Sequence, residues 1–307
     1  MTSRPSQNLA LAIARLTSLH DGDSGVSEVV AFGKSAVPAL RALLFQREPS
    51  GLFQIRCRAV EALAALRAYD VLVEFLNDHE PAADPIECLG DDAVINAVAQ
   101  GLKTLHDDRV FRLLLHLAQR PALTGVIDAL GAFRRVEAIP ALIAALEDDA
   151  SRGAAETALV KMGRAARTAL IISARQRRPS PECESESSLR RRRSTLKLLD
   201  LIGILDSAWP ELRGLVWDKD PKLSFLTCCL GLPNAPEAEL QYIVARLLGL
   251  WTGADWMLRD EIEQSLITHF DKLSQILVQY TSAAGQRSSR DPDVDRLVQR
   301  VRAPGHR

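Results

Sequence analysis

Aromatic residues are scarce in this chain, at 5% of 307 residues. A sheet core draws heavily on aromatic and β-branched side chains, so the shortage argues against a β protein. Neither sign of charge is in excess. The 38 Lys and Arg against 39 Asp and Glu leave a formal net charge of −1. That removes a global electrostatic drive toward nucleic acid or an anionic membrane, and only a local patch can supply one. Long apolar runs are missing too, and nothing approaches the ~18 residues of a membrane span. The apolar start, Leu9 to Ala14, is cut by Arg15 with no cleavage site behind it. It reads as an amphipathic helix and not a secretory signal, and a cytoplasmic, bacterial protein is expected.

Reactive groups are equally thin. The five cysteines (Cys57, Cys88, Cys183, Cys228, Cys229) form no C-x-x-C pair, and adjacent Cys228 and Cys229 point to different sides of a helix. They read as free thiols used as small hydrophobes. The six histidines are scattered. His106 stands beside two acids, but Asp107 and Asp108 fit the role of capping a helix. There is no H-E-x-x-H, no G-x-S-x-G elbow and no phosphate-binding glycine loop. No catalytic residue, cofactor or metal site is assigned, and the chain is expected not to be an enzyme.

What the sequence does have is alanine, leucine and a refrain. "SAVPALRALL" (35–44) returns as "EAIPALIAAL" (137–146) and more loosely as "SAWPELRGLV" (207–216). Pro38, Pro140 and Pro210 lie 102 and 70 residues apart, close to three and two units of about 34. That spacing predicts intermediate copies without proline. "YDVLVEFL" (69–76) and "VFRLLLHL" (110–117) supply them, and "ARTALIIS" (166–173) fits poorly with Arg167 in the proline slot. Leu240, Ile243, Val244, Leu247, Leu248 and Trp251 mark one further helix over 238–251.

A second phrase precedes each copy. "AVEALAAL" (59–66), "VAQGLKTL" (98–105), "VIDALGAF" (126–133), "AETALVKM" (155–162) and "LLDLIGIL" (198–205) align without gaps. Their fourth residue is small in four of the five, which lets a neighbouring helix approach closely. The unit is therefore helix A, a short turn and helix B. Proline early in helix B costs no hydrogen bond, and it should force the residue before it out of the helical region to make a corner.

The period, the paired helices and the refrain resemble HEAT repeats, in particular the short bacterial kind of phycobilisome-lyase-like repeat proteins. The best match is 146–163, beside 55–76, and Arg152 and Arg56 each stand three before the first alanine of the A phrase. The resemblance covers 25–175 well and 189–280 loosely. It implies an all-α, right-handed α-α superhelix, a HEAT/ARM-like solenoid of about seven helix pairs, with helix 6–19 as a cap. The expected domains are an N-terminal repeat block (1–178), a flexible linker or inserted loop (179–188), a divergent C-terminal block (189–280) and a tail (281–307) with one short helix at 292–302.

Two steps of the array are too long, and interruptions of a solenoid are where function concentrates. "NDHEPAADPIECLGDD" (77–92) holds Asp78, Glu80, Asp84, Glu87, Asp91 and Asp92 and no base. Pro81 and Pro85 should keep it non-helical until a helix starts near Asp91. It reads as a docking loop, or as a solvated spacer whose last acids cap the next helix. The second long step, 175–197, ends in Arg190, Arg191, Arg192 and Arg193. Four consecutive arginines sample every side of a helical turn, so some should be solvated. They read as an acid- or phosphate-binding patch, or as part of an internally neutralised linker. Polar residues of the B helices (Arg41, Glu74, Arg112, Arg213) should line a concave face.

The expectation for function is a non-catalytic scaffold or adaptor that binds a protein partner through that face and the two loops, with no membrane role. Two alternatives accompany it: a nucleic-acid-binding protein like the HEAT-like DNA glycosylases, and a bilin lyase or chaperone subunit, which the repeat lineage suggests only by fold-level analogy.

Overall fold

The computed structural model describes residues 4–18, 22–47, 53–78, 82–178, 184–282 and 292–302. Among these the chain is α-helical with short 3₁₀ turns and no strand. It divides into two compact units, Met1–Met162 and Gly163–Arg307.

In the first unit α1 (Arg4–Leu16) packs on α2 (Gly22–Val30). Helix pairs follow: α3 (Val37–Phe45) and α4 (Gln54–Ala65), α5 (Tyr69–Asp78) and α6 (Pro85–Leu102), α7 (Asp108–Leu117) and α8 (Thr124–Phe133), α9 (Ile139–Ala145) and α10 (Arg152–Met162). Helices α2, α4, α6, α8 and α10 each pack on the next of that set, and α3, α5 and α7 do the same in a second layer. This is the two-layer stack of a helical-repeat solenoid. The small fourth positions of the A phrase sit in the stacking layer: Ala62, Ala129 and Ala158 are buried. Close approach is strictest at Gly131, where a Cβ would stand 2.5 Å from that of Ala158.

The second unit begins with α11 (Arg167–Arg175) and α12 (Glu186–Ile202), then the single turn α13 (Trp209–Leu212) and α14 (Pro221–Asn234). It continues with α15 (Glu237–Gly253), α16 (Trp256–Thr268), α17 (Phe270–Ser282) and α18 (Pro292–Arg302). Helices α12, α14 and α16 pack in succession, and α15 packs on α14, α16, α17 and α18. Trp209 and Trp251 are core, while Trp217 and Trp256 are 60% and 77% exposed. Of the expected tail, 292–302 form α18, and 283–291 and 303–307 lie outside the described residues.

The refrain is a helix-start device, but not by the route the sequence suggested. Val37 and Ile139, each just before a proline, are helical (φ −55°, ψ −44° and φ −52°, ψ −46°). A 3₁₀ turn (Gly33–Ala36, Val136–Ala138, Asp206–Ala208) makes the corner instead, and proline is the second helical residue. In the first turn its missing N–H has no partner to lose. The alanine closing each turn is buried (Ala36, Ala138, Ala208), because a three-residue turn brings it against the neighbouring helices. The poor copy at 166–173 is then a matter of register. The turn Gly163–Ala166 matches Gly33–Ala36, so Arg167 corresponds to Val37 and not to Pro38. Buried Leu170 then falls on buried Leu40.

The acidic step also differs from expectation. Pro85 does not keep the segment non-helical: it is the first residue of α6, and Asp84 caps that helix by accepting from the amides of Ile86 and Glu87 at 2.8 and 3.1 Å. Proline suits a first helical position, which the sequence alone does not distinguish from a loop proline. Of the expected linker 179–188, residues 179–183 lie outside the described residues. Residues 184–188 are instead the approach, cap and first turn of α12, with Ser185 as cap and Ser188 buried.

Candidate functional site

Three of the four expected contact residues of the B helices, Arg41, Glu74 and Arg213, are paired on their own surface. Arg41 donates to Glu74 through Nε at 3.0 Å, and its guanidinium lies 4.8 Å over the Phe45 ring. The hydrogen bond from Arg41 holds the Glu74 carboxyl below the usual carboxylate range. Arg213 pairs with Glu239 at 3.0 Å. Arg112 is exposed and unpaired among the described residues. Asp78 is exposed at the end of α5, Glu87 is half-buried in the first turn of α6, and Glu80 lies outside the described residues. Beyond them Asp91 is buried between Arg56 and Arg47 (2.5 and 3.0 Å), and Asp92 pairs with Arg120. Arg56, one of the two arginines that carried the family resemblance, also donates to the Leu44 carbonyl at 2.9 Å. The other, Arg152, pairs at the surface with Asp149.

The run Arg190–Arg193 is corrected most. Arg191 and Arg192 are 1% and 0% exposed, so neither can form part of a partner-facing patch. Both sides of α12 are covered, by α11 and by α14. The last turn of α11 offers carbonyls with no helical partner, and guanidinium groups satisfy them. Arg191 donates to the Ser173 hydroxyl at 2.8 Å and the Gln176 carbonyl at 2.6 Å, and Arg192 to the Ala174 carbonyl at 2.7 Å. Arg192 also bonds Glu184 at 2.5 Å and Asp218 at 2.8 Å, and Asp218 takes Arg177 at 2.7 Å as well. Arg193 pairs with Asp220 and Glu186, and Arg190 is half-buried. Burial pushes the Asp218 carboxyl up, but hydrogen bonds from Arg192, the Asp220 amide and Arg177 together outweigh it and hold it below its usual range. The basic patch behind the nucleic-acid alternative is therefore an interior ion-pair network.

Among the described residues, three cavities mark where a ligand could sit. One of about 710 Å³ involves Cys57, Arg58, Gln100 and Lys103 on α4 and α6. One of about 540 Å³ lies among α14, α15 and α16, beside Pro221, Leu250 and Met257. The third, about 490 Å³, is made by the turns after α6 and α8 and is lined by His106, Asp108, Ala132, Phe133, Arg134 and Arg135. In the sequence His106 and Asp108 read as turn residues, and Ala132 and Phe133 as the end of an A phrase. Only the double arginine after an A phrase was there to be noticed. Among the described residues no cluster of three or more His, Cys, Asp or Glu side chains is placed to hold a metal ion. No described helix is long and apolar enough to cross a membrane.

Paired helices stacked in two layers, repeated with a common turn, define a helical-repeat solenoid protein. Residues 124–148, which are α8, the turn after it and α9 with its end, match the PBS lyase HEAT-like repeat, consistent with a HEAT-like repeat array. No curated protein matches it. Among solved structures it is similar to the complex of CpcE and CpcF of phycocyanin lyase from Nostoc sp. PCC7120, at 21% identity and a TM-score of 0.37, over 79% of this chain and 94% of that one. The expectation that the chain is not an enzyme is corrected by the first of these matches, because residues 124–148 are similar to a repeat described from PBS lyases.

Proposed function

We propose that this chain works in a lyase system of the PBS type, as a helical-repeat subunit that holds a bilin or the protein that receives it. The observation that supports this is the match of 124–148 to the PBS lyase HEAT-like repeat. The cavity at 132–135 is built partly from that same repeat.

The chemistry assigned to the chain is positioning. Burial raises the thiols of Cys57 and Cys228 and pushes that of Cys229 up to about 11. None of these three supplies a thiolate at neutral pH, so the reading gives them no covalent step. Holding a ligand and an acceptor side chain in line lowers the entropy cost of their reaction without a nucleophile from the subunit. A protein partner belongs to the reading as the acceptor.

The test is to incubate the full chain with a free bilin and apo-phycocyanin. Covalent bilin on the acceptor is read by zinc fluorescence on a denaturing gel, and retention of apo-phycocyanin on the immobilised chain is read alongside. The expected result is faster covalent labelling than without the chain, or specific retention. Neither labelling above background nor retention overturns the proposal.

A further inference from the structure

Each of five turns after an A-type helix carries a residue with positive φ. Three are glycine: Gly33 (62°), Gly163 (56°) and Gly203 (77°). Two are arginine: Arg67 (56°) and Arg134 (52°). The left-handed region suits glycine and is resisted by residues with a Cβ. A strained backbone that keeps a long cationic side chain directs attention to what that side chain does.

At Arg134 the surroundings are specific. Its guanidinium is exposed and makes no hydrogen bond or ion pair among the described residues. The neighbouring acids are already engaged: Arg135 bonds Asp108 at 2.5 Å and Glu137 at 3.0 Å, with its guanidinium 4.2 Å over the Phe111 ring. The free cation therefore opens onto a cavity whose wall is aromatic. Phe133 is half-buried, with the His106 ring set edge-on to it at 5.6 Å and the Phe111 ring behind it at 5.5 Å. About 490 Å³ is room for a bicyclic ring system with one substituent.

We infer that this cavity binds a flat, conjugated monocarboxylate, its ring against Phe133 and His106 and its carboxylate on the Arg134 guanidinium. The guanidinium fork matches a carboxylate in two parallel hydrogen bonds. A phosphate dianion fits less well, because the Asp108 carboxylate lines the same cavity and repels additional negative charge. Ring faces and edges of Phe133 and His106 favour a flat ligand over an aliphatic acid. The inference rests on the geometry of the first unit, and its test needs no lyase activity, so it and the proposed function can fail separately.

Arg67 supplies the internal control, since it has a similar positive φ and an exposed side chain but lines none of the three cavities. The probe is 2-naphthoate, titrated into the full chain and followed by the His106 ring resonances and by calorimetry. Arg134→Gly should retain or raise the thermal midpoint, because glycine accepts the turn, and should weaken naphthoate at least about tenfold. Arg67→Gly should also retain or raise the midpoint and leave the affinity within about twofold. Neutral 2-naphthalenemethanol should bind the wild type at least about tenfold more weakly than naphthoate. Arg134→Asn, which also tolerates the left-handed region, repeats the test should the glycine variant misfold. Absence of naphthoate binding at millimolar concentration, or equal affinity in the Arg134 variants and wild type, overturns the assignment.

Discussion

Arg192 has no exposed surface and holds three acceptors, the Ala174 carbonyl, Glu184 and Asp218. Arg192→Met would take one guanidinium from Glu184 and from the buried Asp218, leaving Asp218 only Arg177 and the Asp220 amide, and breaking a buried pair from one side costs up to about 3–5 kcal/mol. Urea denaturation should show that loss, and the double variant Arg192→Met/Asp218→Asn should recover part of it by removing the under-compensated buried charge. Network stability should also depend on acid. The Asp218 carboxyl is held below its unfolded value, so its contribution is present in full above the unfolded value of ~3.9. It is lost as pH falls from there through the lower folded value. Wild type should therefore lose stability in that window more steeply than Asp218→Asn, as read from urea midpoints at a series of pH values. Arg67→Gly, relieved of a left-handed arginine but paying glycine's unfolded-state entropy, should gain about 0.5–1 kcal/mol.

Two contacts decide whether the repeat phrases mean what they spell. On an open helix face Gly131→Ala would gain about 1 kcal/mol from propensity. Here the added methyl would meet Ala158 at 2.5 Å, and overpacking costs about 1–3 kcal/mol, so the sign reverses. A lowered thermal midpoint is expected, and a raised one would show that α8 and α10 stand further apart than described. The refrain makes a parallel comparison. Ala138 is buried in the 3₁₀ turn, so Ala138→Leu should cost about 1–3 kcal/mol. Pro140→Ala removes only unfolded-chain restriction and should cost less than about 1 kcal/mol. The conspicuous letter of the phrase is thus the less important one. Its register shows how far the helix pairs were readable: one 3.6-residue stripe gave each helix, but the one-residue slip at Arg167 became visible only through the 3₁₀ turn before it.

The whole molecule is two compact units, each with its own core. In such an array stability is set locally, repeat by repeat. Hydrogen exchange of Asp218→Asn should therefore lose protection first in α12 and α14, with α8 unchanged. At this scale the functional expectation also moved. A plain adaptor was expected because no catalytic motif stands in the sequence, and a lyase-family repeat at 124–148 replaced that argument. A motif search detects nucleophiles and metals, and it is blind to any function that needs neither.

The sequence by itself determined the repeat, because periodicity, small fourth positions and helix-start residues are local properties that each segment carries with it. It also singled out two charged steps, 77–92 and 175–197. Which charges those steps leave in water was decided by tertiary structure alone. Arg190 to Arg193 look equivalent in a row, but two of them face the last turn of α11 and an acid beside α14, and those partners lie 15 to 18 and 26 positions away in the chain. Desolvation of a charge depends on everything packed around it, and that neighbourhood exists only once the helices have stacked. The same holds for Arg134, an ordinary turn residue in sequence, whose position over a cavity depends on α6 and α8 lying side by side.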